Sequence, residues 1–395
     1  MGDNQGFTSS ESSGGRTLSR KTIHWLVASG AVILVLSLVV IAASLVEMPY
    51  YSLTPGQALP VSRLVTLPHG KASRLDGGVL MTDVDVTRVN LLGYVMDMFE
   101  PHTALIQAGE LTGPGPSSEL GGEAEVEMIE SKLTARVEAL RQMGYSVPEH
   151  NAGAVVWMVL DPAPAWGKLV PGDVVTAVNG EAVTTAPMLA SKIAAASPGS
   201  TVELTVTTIG DLVAANGSEL SRPTYHQVKV KLAGRTVSGK RVGFLGIAPY
   251  TQGLYAMPFG IGISTGSIGG PSAGLAFTLG ILDELAGGDL TGGKVVAATG
   301  TIRPNGAVGP VGGVREKTIA VERGGASVFI VPKAEYRSAI SVASKTLEVV
   351  PVTSLEQALS ALAKLGGKLG KASTGAVSGP GGHSAPQGFQ YAPWS

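Results

Sequence analysis

Two short segments decide how the chain is interpreted: Gly269-Gly270-Pro271-Ser272-Ala273-Gly274 and Gly312-Gly313-Val314-Arg315-Glu316-Lys317. Ser272 of the first and Lys317 of the second are 45 positions apart. The first leads into apolar residues at helical spacing, which predicts a helix with Ser272 at its N-terminus. The second predicts a helix over about 313–322. On that helix Lys317 shares a face with Val314 and Val321, so its side chain is expected to point inward.

A serine beside an inward-pointing lysine indicates nucleophilic catalysis. Burial disfavours the ammonium form and lowers a lysine pKa from about 10.4, so a neutral amine can accept the serine proton. Amides near the helix N-terminus, here those of Gly270 and Ala273, are candidates to hold an oxyanion. The simpler alternatives are that Ser272 is only a helix cap and that Lys317 extends its head into water.

Three further segments lie in a fixed order around this pair: Thr299-Gly300, Gly306 to Gly313 and Gly324 to Pro332. Together with Gly-Pro-Ser-Ala-Gly and Gly-Gly-x-x-x-Lys they resemble the proteolytic domain of the Lon peptidase family. The resemblance implies that Ser272 is the nucleophile, Lys317 the base and Thr299 the residue that orients the lysine. Two positions differ from the ATP-dependent members of the family. Those members usually carry an acidic residue before Gly-Pro-Ser and a glutamate after Thr-Gly, whereas this chain has Gly269-Gly270 and Thr301.

Several other classes of function are disfavoured. The nearest match to a nucleotide-binding loop, residues 288–294, is followed by Val295 where a magnesium-binding Ser or Thr is required, so no nucleotide is expected. The chain has no cysteine and no His-Glu-x-x-His pattern, and its net charge is −1. We therefore expect no thiolate catalysis, no metal, no other cofactor and no nucleic-acid partner.

Residues 22–46 carry no formal charge and are long enough to cross a hydrocarbon core of about 30 Å. A signal peptide is the alternative, but the apolar run exceeds the usual length and no cleavage site follows it. Arg16, Arg20 and Lys21 precede the run. The positive-inside rule predicts a single-pass cell-membrane protein with a cytoplasmic N-terminus and extracytoplasmic domains.

Residues 153–233 resemble a PDZ domain through Pro171-Gly172-Asp173, Asn179-Gly180 and alternating strands. Turn dipeptides between alternating strands are typical of the PDZ fold, which is a β-sandwich or barrel with helices. A PDZ domain takes a peptide by strand addition. Residues 154–159 are predicted to form the groove strand, and the predicted peptide-binding residues are Gly153, Ala154, Val155 and Val156.

Together these parts resemble membrane-anchored, ATP-independent PDZ-Lon peptidases. The expected class is α+β, and the expected segments are a disordered tail 1–21, a transmembrane helix 22–46, strands and a helix over 50–150 that complete the Lon-like sheet, a PDZ domain 153–233, a Lon-type proteolytic domain 242–365 and a disordered tail 366–395. The expected function is a serine endopeptidase that cleaves extracytoplasmic peptides or unfolded proteins. The alternative is a non-catalytic PDZ adaptor, and the resemblance also implies a homo-oligomeric ring.

Overall fold

The computed structural model describes residues 19–68, 77–109, 120–216 and 222–369. The two tails predicted to be disordered are 1–21 and 366–395, and most of each, 1–18 and 370–395, lies outside this part. The predicted tails nevertheless extend too far inward. The first helix already begins at Arg20, and the amides of Gly367 and Lys368 donate to backbone carbonyl groups at 2.9 Å each.

The helices are α1 Arg20–Leu45, α2 Val61–Leu64, α3 Leu91–Asp97, α4 Leu120–Gln142, α5 Ala186–Ala195, α6 Ile209–Asn216, α7 Gly274–Leu285, α8 Val314–Arg323, α9 Tyr336–Ile340 and α10 Leu355–Lys364. The strands up to residue 208 are β1 Glu47–Pro60, β2 Val65–Thr66, β3 Gly78–Asn90, β4 Ala104–Gln107, β5 Glu149–Val159, β6 Asp173–Val178, β7 Glu181–Ala182 and β8 Thr201–Thr208. The later strands are β9 His226–Lys231, β10 Ala233–Val237, β11 Lys240–Phe244, β12 Ile247–Tyr255, β13 Gly262–Ile263, β14 Val295–Ala298, β15 Thr301–Ile302, β16 Val308–Gly309, β17 Val328–Pro332 and β18 Glu348–Val352.

One six-stranded sheet joins strands that are far apart in sequence, in the order β18-β17-β14-β3-β1-β4. The strands β14, β17 and β18 run parallel, β14 also pairs in parallel with β3, and β1 pairs antiparallel with β3. Strands from before residue 108 and after residue 294 therefore form one sheet.

Both faces of the parallel part of this sheet are covered. Val79, Met81 and Val296 belong to a core that includes residues of α4 and α7. Leu80, Ala297 and Phe329 alternate with them and belong to a second core, which includes residues of α8. Apolar residues on both faces are what a parallel strand between two helical layers requires.

A second sheet has the order β12-β5-β6-β8-β9, with β7 paired to β6. Its own core is built mainly from residues of β5, β6, β8 and α5. The predicted boundary near Val242 does not fall at a break in this sheet, because β12 pairs with β5 from Ile247 to Tyr255. The two sheets and their helices confirm the mixed α+β class.

Helix α1 contains one stretch, Val27–Leu45, that is long and apolar enough to cross a membrane. It is the one such stretch among the residues that the structure describes. Its 19 residues span about 28 Å at helical rise, close to the thickness of a hydrocarbon core. A membrane anchor and a signal sequence both satisfy this description.

Candidate active site

The serine lies in a loop that is fixed to the end of β14. Ser272 stands two residues before the first residue of α7. Its carbonyl oxygen accepts hydrogen bonds from the amide of Gly300 at 2.8 Å and from Thr299 Oγ1 at 3.1 Å. The amide of Leu275 donates back to the carbonyl of Gly300 at 3.0 Å. This exchange holds the serine at the carboxyl end of the sheet's parallel strands.

The lysine reaches the serine from α8. Lys317 is 2 % exposed, and its Nζ donates to Ser272 Oγ at 2.7 Å and to Thr299 Oγ1 at 3.5 Å. The helix can begin where it does because Gly313 has φ 66°, and a Cβ there would lie 2.8 Å from Val84 Cγ1. The structure thus brings together Ser272, Thr299 and Lys317.

Burial controls the charge of the lysine. Removal from water lowers the pKa of Lys317 to about 8, and the negative charge of Asp83 on β3 opposes part of that shift. About one tenth of the side chains then carry a neutral amine at pH 7. A neutral amine 2.7 Å from a serine hydroxyl is placed to remove its proton.

Two amides beside the hydroxyl are available to a ligand. Among the described residues, the amides of Ser272 and Ala273 donate no backbone hydrogen bond. The amide of Gly270 instead donates to the carbonyl of Ala124 at 2.7 Å. The prediction that Gly270 supplies an oxyanion donor is therefore wrong, since its amide is already used to anchor the loop, whereas Ala273 keeps that capacity.

Helix α4 supports the nucleophile loop, and its role was not predicted. Besides the contact at Ala124, the hydroxyl of buried Ser131 donates to the carbonyl of Pro271 at 3.1 Å. Pro271 directly precedes the nucleophile candidate. Ser131 is 140 positions from Pro271 in sequence, so no local pattern indicated the contact.

Asp83 is a second residue that sequence reasoning missed. Its Oδ1 accepts a hydrogen bond from the amide of Gln57 at 2.6 Å, beside an irregularity in the pairing of β1 with β3. A Cβ at Gly56 would overlap the same carboxylate, so a larger residue there would displace Asp83 Oδ1 from the amide of Gln57. Asp83 is thus fixed by the sheet near the lysine whose pKa it raises.

The predicted peptide-binding strand of the second sheet is not an edge strand. Ala154 and Val155 on β5 pair with β12 on one side and with β6 on the other. A strand paired on both sides has no free backbone groups for a peptide. The assignment of Gly153, Ala154, Val155 and Val156 as peptide-binding residues is therefore wrong.

The edge strand that lies beside α5 is β12. The hydroxyl of Thr251 on β12 accepts a hydrogen bond from the amide of Ala186 at 3.1 Å, which fixes the helix next to this strand. Among the described residues, the amides of Leu245 and Gly246, immediately before β12, donate no backbone hydrogen bond. Adjacent free amides of this kind form a suitable binding site for a carboxylate.

The same strand contacts the helix that supports the nucleophile loop. Tyr250 on β12 donates its hydroxyl hydrogen to Glu130 Oε1 on α4 at 2.7 Å. Burial raises the pKa of Glu130, and burial together with the carboxylate raises the pKa of Tyr250. Helix α4 thus joins the second sheet to the loop of Ser272.

Comparisons with known proteins assign both parts. Residues 258–364 match the family described as Lon protease (S16) C-terminal proteolytic domain, and residues 142–216 match the PDZ domain family. One part of the chain is therefore similar to the Lon-type proteolytic domain and another to the PDZ domain. This is the combination expected of a PDZ-Lon peptidase.

Individual relatives match the C-terminal part of the chain. Lon protease of Chloroflexus aggregans is 35 % identical over 92 residues, which are 22 % of this chain and 11 % of the relative. Lon protease of Azospirillum brasilense is 36 % identical over 93 residues, which are 23 % of this chain and 11 % of the relative. The match spans about one tenth of these relatives, and it supports a protease.

Solved structures of PDZ domains match a quarter of the chain. The PDZ domain of the SdrC-like protein from Listeria monocytogenes has 22 % identity and a TM-score of 0.20, covering 25 % of this chain and 87 % of that one. The corresponding domain from Listeria innocua has 20 % identity and a TM-score of 0.18, covering 25 % of this chain and 92 % of that one.

No group of three or more His, Cys, Asp or Glu side chains suited to a metal ion occurs within the described ranges. The site consists of a hydroxyl, an amine and backbone amides.

Proposed function

We propose that the chain is a membrane-anchored serine endopeptidase in which Ser272 is the nucleophile and Lys317 the general base. The observation that supports this most directly is the 2.7 Å contact between Ser272 Oγ and the Nζ of a lysine with a lowered pKa. The matched proteolytic family supports the reaction class. The intact set of serine, threonine and lysine favours this over a non-catalytic adaptor.

The reaction needs only these groups and water. As Ser272 Oγ attacks the carbonyl carbon of a peptide bond, its proton moves to the amine of Lys317 and the carbonyl oxygen becomes an oxyanion. The amides of Ser272 and Ala273 stabilise that charge. The C–N bond then breaks, Lys317 returns the proton to the leaving amine, and an acyl-enzyme remains. A water molecule, deprotonated by Lys317, then attacks the acyl carbon. The ester C–O bond to Ser272 breaks, Lys317 returns this proton to Ser272 Oγ, and the carboxylic acid leaves.

The role of Thr299 is to position the lysine. Its Oγ1 lies 3.5 Å from Lys317 Nζ and donates to the carbonyl of Ser272 at 3.1 Å. It is buried completely. We propose that it orients the amine toward the hydroxyl without contacting substrate.

We propose that substrates are extracytoplasmic peptides or unfolded proteins and that no nucleotide is consumed. In the loop that starts at Gly288, Val295 stands at the position where a nucleotide-binding loop needs a Ser or Thr hydroxyl to bind magnesium. In this proposal α1 crosses the cell membrane with the basic residues Arg20 and Lys21 on the cytoplasmic side. We also propose, on the resemblance to the Lon family, that several copies of the chain assemble into a ring.

We propose that the proteolytic domain is discontinuous. It would combine β1, β3 and α4 with residues 258–364, and the PDZ domain would be inserted between them and extend to β12. The pairing of β3 with β14 and of β12 with β5 supports this division.

The PDZ domain would bind substrate termini at the free edge of β12. A peptide added to this strand beside α5 would place its C-terminal carboxylate at the amides of Leu245 and Gly246. Pro249 lacks an amide hydrogen, so we expect strand addition to use the part of β12 before it.

The catalytic proposal is tested with an unstructured protein substrate and mass spectrometry of its products. The full chain in detergent should cleave it, whereas Ser272→Ala and Lys317→Met should leave at most background hydrolysis. Lys294→Met, at an exposed lysine, is the matched control and should cleave normally. Cleavage at the wild-type rate by either folded variant would exclude the dyad. Peptide binding without cleavage by any form would support the adaptor.

The PDZ proposal is tested by hydrogen exchange on the Ser272→Ala chain with one peptide in two forms, ending in a free carboxylate or in an amide. The free form should bind more tightly and slow exchange at residues 245–248. Equal binding of the two forms would exclude the carboxylate site. Changes confined to β5 would exclude the β12 groove.

A further inference from the structure

Helix α3 and the turn after it expose an unusual group of apolar side chains. Phe99 is 82 % exposed, Met96 64 %, Met98 61 % and Val95 45 %. We refer to these four residues as the α3 patch. Single exposed apolar residues are ordinary, but several large ones within five consecutive positions indicate a surface that is covered in the working protein.

The α3 patch lies next to the end of the candidate membrane helix. The pairing of Glu47 with Asn90 places the start of α3 beside the end of α1. The amide of Leu91 donates to the carbonyl of Val46 at 2.8 Å, and Asn90 Nδ2 donates to the carbonyl of Ser44 at 3.0 Å. Since the apolar stretch of α1 ends at Leu45, α3 begins at the level where the hydrocarbon core would end.

The surrounding side chains suit a membrane interface. The rings of Tyr50 and Tyr94 lie 4.9 Å apart on β1 and α3. Tyrosine is enriched where a membrane protein crosses the headgroup region, because its ring is apolar and its hydroxyl is polar. Between residues 91 and 102 the formal charges are the acidic Asp97 and Glu100. Attraction to anionic lipids therefore does not drive the contact, and apolar burial does.

We propose that residues 91–99 lie in the outer interface of the bilayer, with the α3 patch at the boundary of the acyl chains. This rests on the proposed function only in that α1 is a retained anchor. The contact would give the protein a second attachment point beside α1. It would therefore fix the orientation of the sheet edge formed by β1 and β4, instead of leaving the domains to swing on a single helix.

The experiment uses the full chain, which has no native cysteine, in phosphatidylcholine vesicles. Single cysteines at Met96 and Phe99 carry a nitroxide label, and the accessibility of each label to oxygen and to a water-soluble nickel chelate is measured. Leu36→Cys, within α1, reports the anchor, and Lys240→Cys, at an exposed position on β11, reports water. We expect the ratio of oxygen to nickel accessibility at Phe99 to be several-fold higher than at Lys240 and to be unaffected by salt.

The control labels distinguish a failure of the interface contact from a failure of the membrane anchor. A water-like label at Phe99 together with a lipid-exposed label at Leu36 would overturn the interface contact and leave the anchor intact. A water-like label at Leu36 would overturn the anchor and this inference with it. Low accessibility to both reagents at Phe99 would also overturn it. Dipolar broadening would then indicate a second copy, and its absence would indicate cover by another part of the same chain.

Discussion

At the residue scale, the account depends on one buried amine. Lys317 has its side chain in the protein interior, 2.7 Å from the serine hydroxyl, and burial lowers its pKa to about 8. The neutral form is the active base, and its fraction increases with pH. The maximal rate should therefore rise with pH and reach half of its plateau near pH 8, instead of near the ordinary lysine value.

The carboxylate of Asp83 should set part of this midpoint. Because its charge raises the pKa of Lys317, Asp83→Asn should move the midpoint of the pH–rate profile to lower pH. Asparagine keeps the oxygen that accepts from Gln57. The measurement is the initial rate of peptide cleavage from pH 6 to 10. An unchanged midpoint would show that Asp83 does not act on the base.

The same burial should reduce stability. A lysine pKa lowered to about 8 in the folded protein corresponds to a free energy of unfolding about 3 kcal/mol smaller at pH 7. The unfolded chain binds more protons between pH 8 and 10.5, so the wild type regains this stability as pH rises through that range. Lys317→Met should therefore be more stable than wild type at pH 7, and the difference should vanish towards pH 10.5.

Thermal unfolding of the two forms at several pH values checks this expectation. The matched control is Lys294→Met, which removes an exposed lysine and should leave the pH dependence of unfolding unchanged. A Lys317→Met variant that is less stable than wild type at every pH would show that the hydrogen bonds of the amine outweigh the cost of its burial.

At the element scale, α4 is the support of the nucleophile loop. Ser131→Ala removes the hydrogen bond to the carbonyl of Pro271, so the loop should sample positions in which Ser272 is misplaced. We expect kcat for a short peptide to fall several-fold with little change in KM, because the bond does not contact substrate. Steady-state kinetics measure the split between these constants.

Thr134→Ala is the control on the same helix. Thr134 is half-buried, and among the described residues its hydroxyl donates no hydrogen bond to the nucleophile loop. It should leave both constants near wild type. A Ser131→Ala chain with unchanged kcat would mean that Ala124 alone fixes the loop.

The sequence predicts some of these elements well and others poorly. The helices of Ser272 and Lys317 follow from glycine boundaries and apolar periodicity, which are local signals. The edge strand of the second sheet does not follow from such local signals. Residues 154–159 form a nearly continuous apolar run, which is typical of an interior strand. Pro249, within β12, was the signal for the true edge, because proline is confined to edge strands.

Contacts between distant segments could not be predicted from the sequence, for a different reason. Ser131 and Pro271 are 140 positions apart, and Glu130 and Tyr250 are 120 apart. A serine or a glutamate on a helix carries no local indication of such a partner. Only the sheet that joins strands from both ends of the chain brings these helices together.

At the scale of the whole molecule, the central question is on which side of the membrane the site lies. In the proposed topology a cysteine introduced at Ser10 is cytoplasmic and one at the exposed Lys345 is extracytoplasmic. In intact cells a membrane-impermeant thiol reagent should label only the second, and both should react after lysis. Labelling of Ser10→Cys alone in intact cells would reverse the assignment.

The central claim is that Lys317 activates Ser272, and it can be measured without knowing the substrate. A fluorophosphonate reacts covalently with an activated serine, and peptide mass spectrometry locates the modified residue. The account predicts modification of Ser272 with a rate that rises with pH around a midpoint near 8 and is lost in Lys317→Met. Modification of another serine, or a rate at Ser272 that is the same in wild type and Lys317→Met, would contradict it.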